Sequence, residues 1–179
     1  MPTIGVAVAI PEPWATELRD YRAGVGDPMA ATVPTHITLV PPTEVSDEEL
    51  REIECHLEDA AAEVSAFGVH LRGTGTFRPV SPVVFVSLVE GISQCEQLAG
   101  AVRRGPLEVE LAFPYHPHVT VAHDIADDRL DRAFNELAAF ECAFDVDDFR
   151  LYVHDDERGW TTARFYPLGE GTDPTWPDR

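Results

Sequence analysis

The 179-residue chain contains no lysine; all 13 of its basic residues are arginines. Without a lysine amine there can be no Schiff base with a carbonyl substrate, no lysyl-adenylate ligation chemistry and no P-loop. Positive charge of any kind is scarce, with 32 acidic residues leaving a net charge of −19. Such a field repels polyanions, so a tight, sequence-independent grip on long RNA or DNA is not expected. An acidic, lysine-free composition suits a high-salt cytoplasm, and a GC-rich genome accounts equally well for the arginine bias. Cysteine is sparse too. Cys55, Cys95 and Cys142 are odd in number and far apart in sequence, which points to reduced, buried thiols in a cytoplasmic protein and not to disulfides or a ligand pair. No stretch approaches eighteen uninterrupted apolar residues, so no membrane-spanning helix is expected. Met1-Pro2-Thr3-Ile4-Gly5-Val6 lacks the basic start and apolar core of a signal peptide and reads directly as a strand.

What is present is a regular alternation of elements. Thr3–Ile10 is β-rich, and Pro11-Glu12-Pro13 then opens a helix whose apolar positions Trp14, Leu18, Tyr21 and Val25 step by four, three and four. A strand over Thr35–Val40 is expected to end at Pro41-Pro42. Ser46 and Glu49 have capping-box spacing before a helix carrying Leu50, Ile53, Leu57, Ala61 and Val64. A strand over Phe67–Gly73, a Gly/Pro-rich stretch 73–82, a strand over Val83–Leu88 and a helix with Ile92, Cys95, Ala99 and Val102 on one face follow. Beyond His118–Ala122, Asp127 or Asp128 is placed to cap a helix with Leu130, Ala133, Phe134 and Leu137, and strands near Cys142–Val153 and Thr161–Pro167 finish the chain.

Two tetrapeptides within this order share a pattern: His36-Ile37-Thr38-Leu39 and His118-Val119-Thr120-Val121. On a strand, His and Thr two residues apart project to one face while the aliphatic residues project to the other. A shift of 82 residues superposes His36 on His118 and Thr38 on Thr120, and also Ser46 on Asp128 and Phe67–Leu71 on Phe149–Val153. A chance motif would not bring its neighbouring elements with it, so the chain reads as an internal duplication. The expected architecture is α+β: two strand-helix-strand-helix-strand units form two mostly antiparallel sheets around a central cleft, with helices outside. Residues 1–168 would make one bilobal domain with interleaved lobes, and 169–179 a loose tail. Two imidazoles and two hydroxyls facing one cleft can provide a general base, a general acid and two donors to phosphate oxygens, with no metal or other cofactor required.

The arrangement resembles the 2H phosphoesterase superfamily, specifically the LigT-like 2′-5′ RNA ligase and cyclic phosphodiesterase proteins, over about residues 3 to 167. The likeness rests on Thr35-His36-Ile37-Thr38-Leu39, on Tyr115-His116-Pro117-His118-Val119-Thr120-Val121-Ala122, and on Gly73-Thr74-Gly75-Thr76-Phe77. It implies catalytic His36 and His118, phosphate-binding Thr38 and Thr120, and metal-independent hydrolysis of a 2′,3′-cyclic phosphate or related nucleotide phosphodiester. By the same likeness Phe77 would border the nucleotide; Tyr115 is a second aromatic able to stack on a base. Family members often carry an arginine shortly after the second motif, where this chain has His123. The resemblance implies a small cyclic nucleotide or an RNA-terminal cyclic phosphate as partner; with the acidic surface, this departure favours the small nucleotide over an RNA end, and a monomer is expected. Two rivals remain: reversible 2′-5′ ligation of RNA ends, and a nucleotide-binding module without turnover. His116 and His118 share a face and form a lesser, metal-ligand alternative. Arg72 and Arg78 read as surface ion-pair partners, and His56, His70 and His154 as ordinary histidines.

Overall fold

Large and small residues alternate along strand β1 (Thr3–Ala9): Ile4, Val6 and Val8 are buried in the core, while Gly5 and Ala7 line a cleft on the opposite face. In the computed structural model, which describes residues 1–169, the other elements are α1 (Trp14–Gly24), β2 (His36–Glu44), α2 (Asp47–Glu63), β3 (Phe67–Thr76) and β4 (Val83–Glu90). They are followed by α3 (Ile92–Val102), β5 (His118–His123), α4 (Asp127–Glu136), β6 (Glu141–Val146), β7 (Asp148–Asp155) and β8 (Gly159–Pro167). The protein is α+β, with two four-stranded sheets ordered β2-β1-β7-β8 and β5-β4-β3-β6, and every pairing is antiparallel.

The two halves of the sequence are interleaved. Strand β3 ends the first half yet pairs with β4 of the second, and β7 of the second half pairs with β1 of the first. The central strands β1 and β4 therefore correspond, as do the edge strands β2 and β5. The correspondence extends to a backbone irregularity. Val6 faces Val40 and Ala7 faces Thr38; likewise Val84 faces Ala122 and Phe85 faces Thr120. In each sheet the His-x-Thr strand thus inserts one extra residue just past its threonine, a β-bulge that bends the strand. Leu39-Val40 and Val121-Ala122 are in consequence consecutive buried residues, where strict alternation would expose one of each pair.

Several local expectations are corrected. Strand β2 continues through Pro41-Pro42 to Glu44. It is an edge strand, and a second irregularity falls at the prolines, between the Val6–Val40 and Ile4–Thr43 pairs, where the missing N–H groups cost no ladder bond. Strand β3 runs on to Thr76; a Cβ at Gly75 would lie 2.6 Å from the Phe85 ring, so only glycine lets that ring lie flat on the strand. The stretch Cys142–Val153 is divided between β6 and β7, which belong to different sheets. Neither Asp127 nor Asp128 caps α4: Ala126 occupies the cap position, and both aspartates sit in the first turn, where they complement the helix dipole. Cys95 and Cys142 are buried, but Cys55 is exposed, and all three thiols are free. No described helix is long and apolar enough to cross a membrane. Of the expected tail, Gly169 bridges Ser65 and the rest lies outside the described residues.

Two polar devices fix the frame. The Ser46 hydroxyl accepts from Glu49 N–H at 3.1 Å and the Glu49 carboxylate accepts from Ser46 N–H at 2.7 Å, completing the capping box of α2. Buried Asp27, just after α1, accepts from Arg22 Nε at 2.6 Å, from Met29 N–H at 2.9 Å and from His123 N–H at 2.9 Å, tying α1 to β5 of the other lobe. Loss of the cap in Ser46→Ala should lower stability by about 1 kcal/mol in urea unfolding. Asp27→Ala strands a buried guanidinium and two N–H groups, and should cost about 3–5 kcal/mol in the same measurement; equal costs for the two variants would show that the clamp carries little.

Candidate functional site

The two edge strands β2 and β5 pack against each other where the sheets meet, and their polar faces open onto one cavity of about 280 Å³. His36, Thr38, His118 and Thr120 all line it. The bulges described above matter here: each lets the aliphatic residues after the threonine turn into the core while His and Thr stay on the cleft face.

The imidazoles are held in the same way. His36 Nδ1 lies 2.6 Å from the Pro34 carbonyl, and His118 Nδ1 lies 2.7 Å from the His116 carbonyl. A carbonyl can only accept, so each Nδ1 carries the hydrogen and each neutral ring has its lone pair on Nε2. At His36 that nitrogen is 3.1 Å from the Thr38 hydroxyl, which donates to it. Burial pushes the His36 pKa below the usual imidazole value; the Pro34 carbonyl opposes this and the nearby Arg22 guanidinium adds to it. Burial also lowers His118, opposed by the His116 carbonyl and reinforced by the His116 and His36 rings. Both rings are therefore neutral near pH 7 while the cleft is empty.

The aromatic neighbours are placed differently from one another. Phe77 does not line the cavity; its ring meets His118 edge-on at 4.9 Å and packs on Phe85 at 4.5 Å, so it buttresses the imidazole. The Tyr115 hydroxyl donates to the Thr38 carbonyl at 2.8 Å, reaching across from the second lobe, with the Arg103 guanidinium over its ring at 5.0 Å. Burial raises its phenol well above the ordinary value. The aromatic residues that do line the cavity are Tyr152 and Trp160, from β7 and β8. His116 is exposed, 5.8 Å from His118 between ring centres, and among the described residues no group of three His, Cys, Asp or Glu could hold a metal ion. Arg78 pairs with Asp131 at 2.9 Å on the surface, away from the cavity.

Arg22 is the residue that strand patterning misses. It is 7% exposed, lines the cavity, and is locked through Nε by Asp27, the same carboxylate that holds the backbone of His123. One turn after the buried Leu18 on α1, it occupies the helix's inward face, and an arginine at that spacing was the available signal. A guanidinium thus reaches the cavity from α1, although position 123 is a histidine.

Known proteins agree with this architecture. Residues 10–158 match the family model described as the 2′-5′ RNA ligase superfamily. A protein of Oceanobacillus iheyensis that bears a provisional phosphoesterase name is 29% identical over 145 residues, covering 80% of this chain and 85% of that protein. A similarly named Bacillus licheniformis protein is 29% identical over the same length. The structure of Escherichia coli LigT complexed with 3′-AMP superposes with a TM-score of 0.67 at 22% identity, over 94% of this chain and 99% of that one. TT0787 of Thermus thermophilus superposes with a TM-score of 0.68 at 23% identity, over 96% and 100%. With the family model spanning most of its length and the fold shared, this chain belongs to the 2′-5′ RNA ligase superfamily, the 2H phosphoesterases.

Proposed function

We propose that the protein is a metal-independent phosphodiesterase that opens 2′,3′-cyclic phosphates or related cyclic nucleotide diesters with His36 and His118 as its acid–base pair. The observation that carries this reading is the matched tethering of both rings by the carbonyl two residues upstream, which leaves two Nε2 atoms for one cavity. One Nε2 accepts the proton of the attacking water as the water oxygen bonds to phosphorus. The other, protonated, gives its proton to the departing ribose oxygen as the P–O bond breaks, and the product is a phosphomonoester. The pseudo-two-fold relation of the strands suits the in-line geometry, which needs the two rings on opposite sides of phosphorus. Thr120 donates to a non-bridging oxygen, as does Thr38 once its hydrogen turns from His36 Nε2, and Arg22, paired with Asp27 through Nε, offers its terminal N–H groups. Run in reverse the same groups would join RNA ends, but the net charge of −19 favours a small ligand. The small nucleotides in LigT crystals, 3′-AMP, ATP and NADP+, support that choice.

Turnover of 2′,3′-cyclic AMP should survive EDTA, and His36→Ala and His118→Ala should each lower kcat by about 10²–10⁴-fold. Turnover that EDTA abolishes, or indifference to either substitution, would contradict the proposal. The pH dependence follows from the two lowered imidazoles. Rising pH removes the proton from the acid and falling pH blocks the base, so kcat/KM should be bell-shaped with its maximum displaced below the ordinary imidazole value of 6.5. A bound phosphate anion favours the imidazolium, so the kcat profile should lie at higher pH than that of kcat/KM. A single monotonic limb would rule out the pair.

A further inference from the structure

The cleft is asymmetric, and the asymmetry opens a second cavity. On the cleft face the central strand of the second lobe presents Phe85, which fills that side together with Phe77. The central strand of the first lobe presents Gly5, Ala7 and Ala9 instead, so the floor there is low. A further cavity of about 340 Å³ shares Pro34, Tyr152 and Trp160 with the catalytic one. It is reached along one cross-strand row: Thr38 pairs with Ala7, and Ala7 pairs with Arg150. Two inter-strand spacings separate Thr38 from Arg150, about 10 Å with only an alanine side chain between.

The far end of this trough has unmet hydrogen-bonding capacity. Among the described residues the buried side-chain polar atoms without a partner are Arg150 Nε and the hydroxyls of Tyr152 and Tyr166. Buried polar atoms are ordinarily paired with protein, water or ligand, so two without a protein partner in hydrogen-bond range, at i and i+2 of one strand and lining one cavity beside Thr162, mark a place for a polar group. Tyr152 is 5% exposed. The Arg150 guanidinium lies over the Phe165 ring at 4.5 Å, and neither it nor Arg19 at the rim forms an ion pair among the described residues. The one carboxylate lining the cavity, Glu12, is already engaged by the Thr16 N–H at 3.1 Å and the Thr16 hydroxyl at 2.8 Å. The remaining donors are cationic or hydroxylic, which suits an anionic acceptor.

We propose that this second cavity binds a second phosphate of the substrate: the ligand is a nucleotide phosphorylated at two positions, its reacting phosphate between the His-x-Thr strands and its other phosphate against Arg150 and Tyr152. The inference takes from the proposed function only the place of the first phosphate. It is tested by binding, which is independent of turnover. Calorimetry with adenosine 3′-monophosphate and adenosine 3′,5′-bisphosphate should show the bisphosphate bound at least tenfold more tightly by the wild type. That ratio should fall below threefold in Arg150→Gln, and should be reduced in Tyr152→Phe, which keeps the ring and deletes only the hydroxyl. A ratio near one in the wild type, a ratio retained in Arg150→Gln, or binding of neither nucleotide would overturn the proposal. A preserved ratio without turnover of cyclic phosphates would instead count against the hydrolytic reading alone.

Discussion

The structure depends on an exchange: β3 of the first half and β7 of the second each join the sheet of the other half's first strand. Because β3 completes the sheet of β4 and β7 completes that of β1, neither lobe can close without the other. The exchange leaves the two His-x-Thr strands at the edges, and those edges meet. Exposed strand edges ordinarily invite aggregation. Here the two edges shelter each other, and the groove between them becomes the cavity. The Asp27 clamp from α1 to β5 and the Tyr115 hydroxyl on the Thr38 carbonyl reinforce the junction from both lobes.

Within that frame the proposed chemistry rests on what each imidazole loses and keeps. Burial removes solvent and disfavours the cation, while the carbonyl behind each ring fixes its tautomer and partly restores its basicity. The lobes are equivalent in this respect but not in what surrounds it. The second lobe packs phenylalanine behind His118, whereas the first lowers its floor to glycine and alanine and brings a guanidinium from α1. The two lobes thus hold matched imidazoles, the proposed acid–base pair, in unlike surroundings.

Much of this was legible in the sequence because it rests on period-two patterning. The repeat that superposes His36 on His118 carries the edge strands and the helices that follow them, and the capping box at Ser46 is a purely local signal. What escaped depends on tertiary context. Pro41-Pro42 reads as an ending because local rules cannot tell an edge strand with an irregularity, where prolines are tolerated, from a central one. The β6–β7 boundary hides inside one continuous β-rich stretch, since which sheet a strand joins is a long-range choice. Phe77 and Tyr115 stand out in the sequence as aromatics near a motif, but only the fold shows that one braces His118 and the other holds the Thr38 backbone. Arg22 has only its helical spacing after Leu18 as a signal and Arg150 has none, so the folded cleft is what brings both near the motifs.

The central claim is that two carbonyl-tethered, neutral imidazoles present Nε2 to one phosphate. Proton–nitrogen correlation NMR of the histidine rings tests it most directly. The account predicts that His36 and His118 both appear as the Nδ1–H tautomer, that both titrate below the ordinary imidazole range in the empty protein, and that inorganic phosphate moves both pKa values upward together. An Nε2–H tautomer at either position, or a phosphate response confined to one ring, would contradict it.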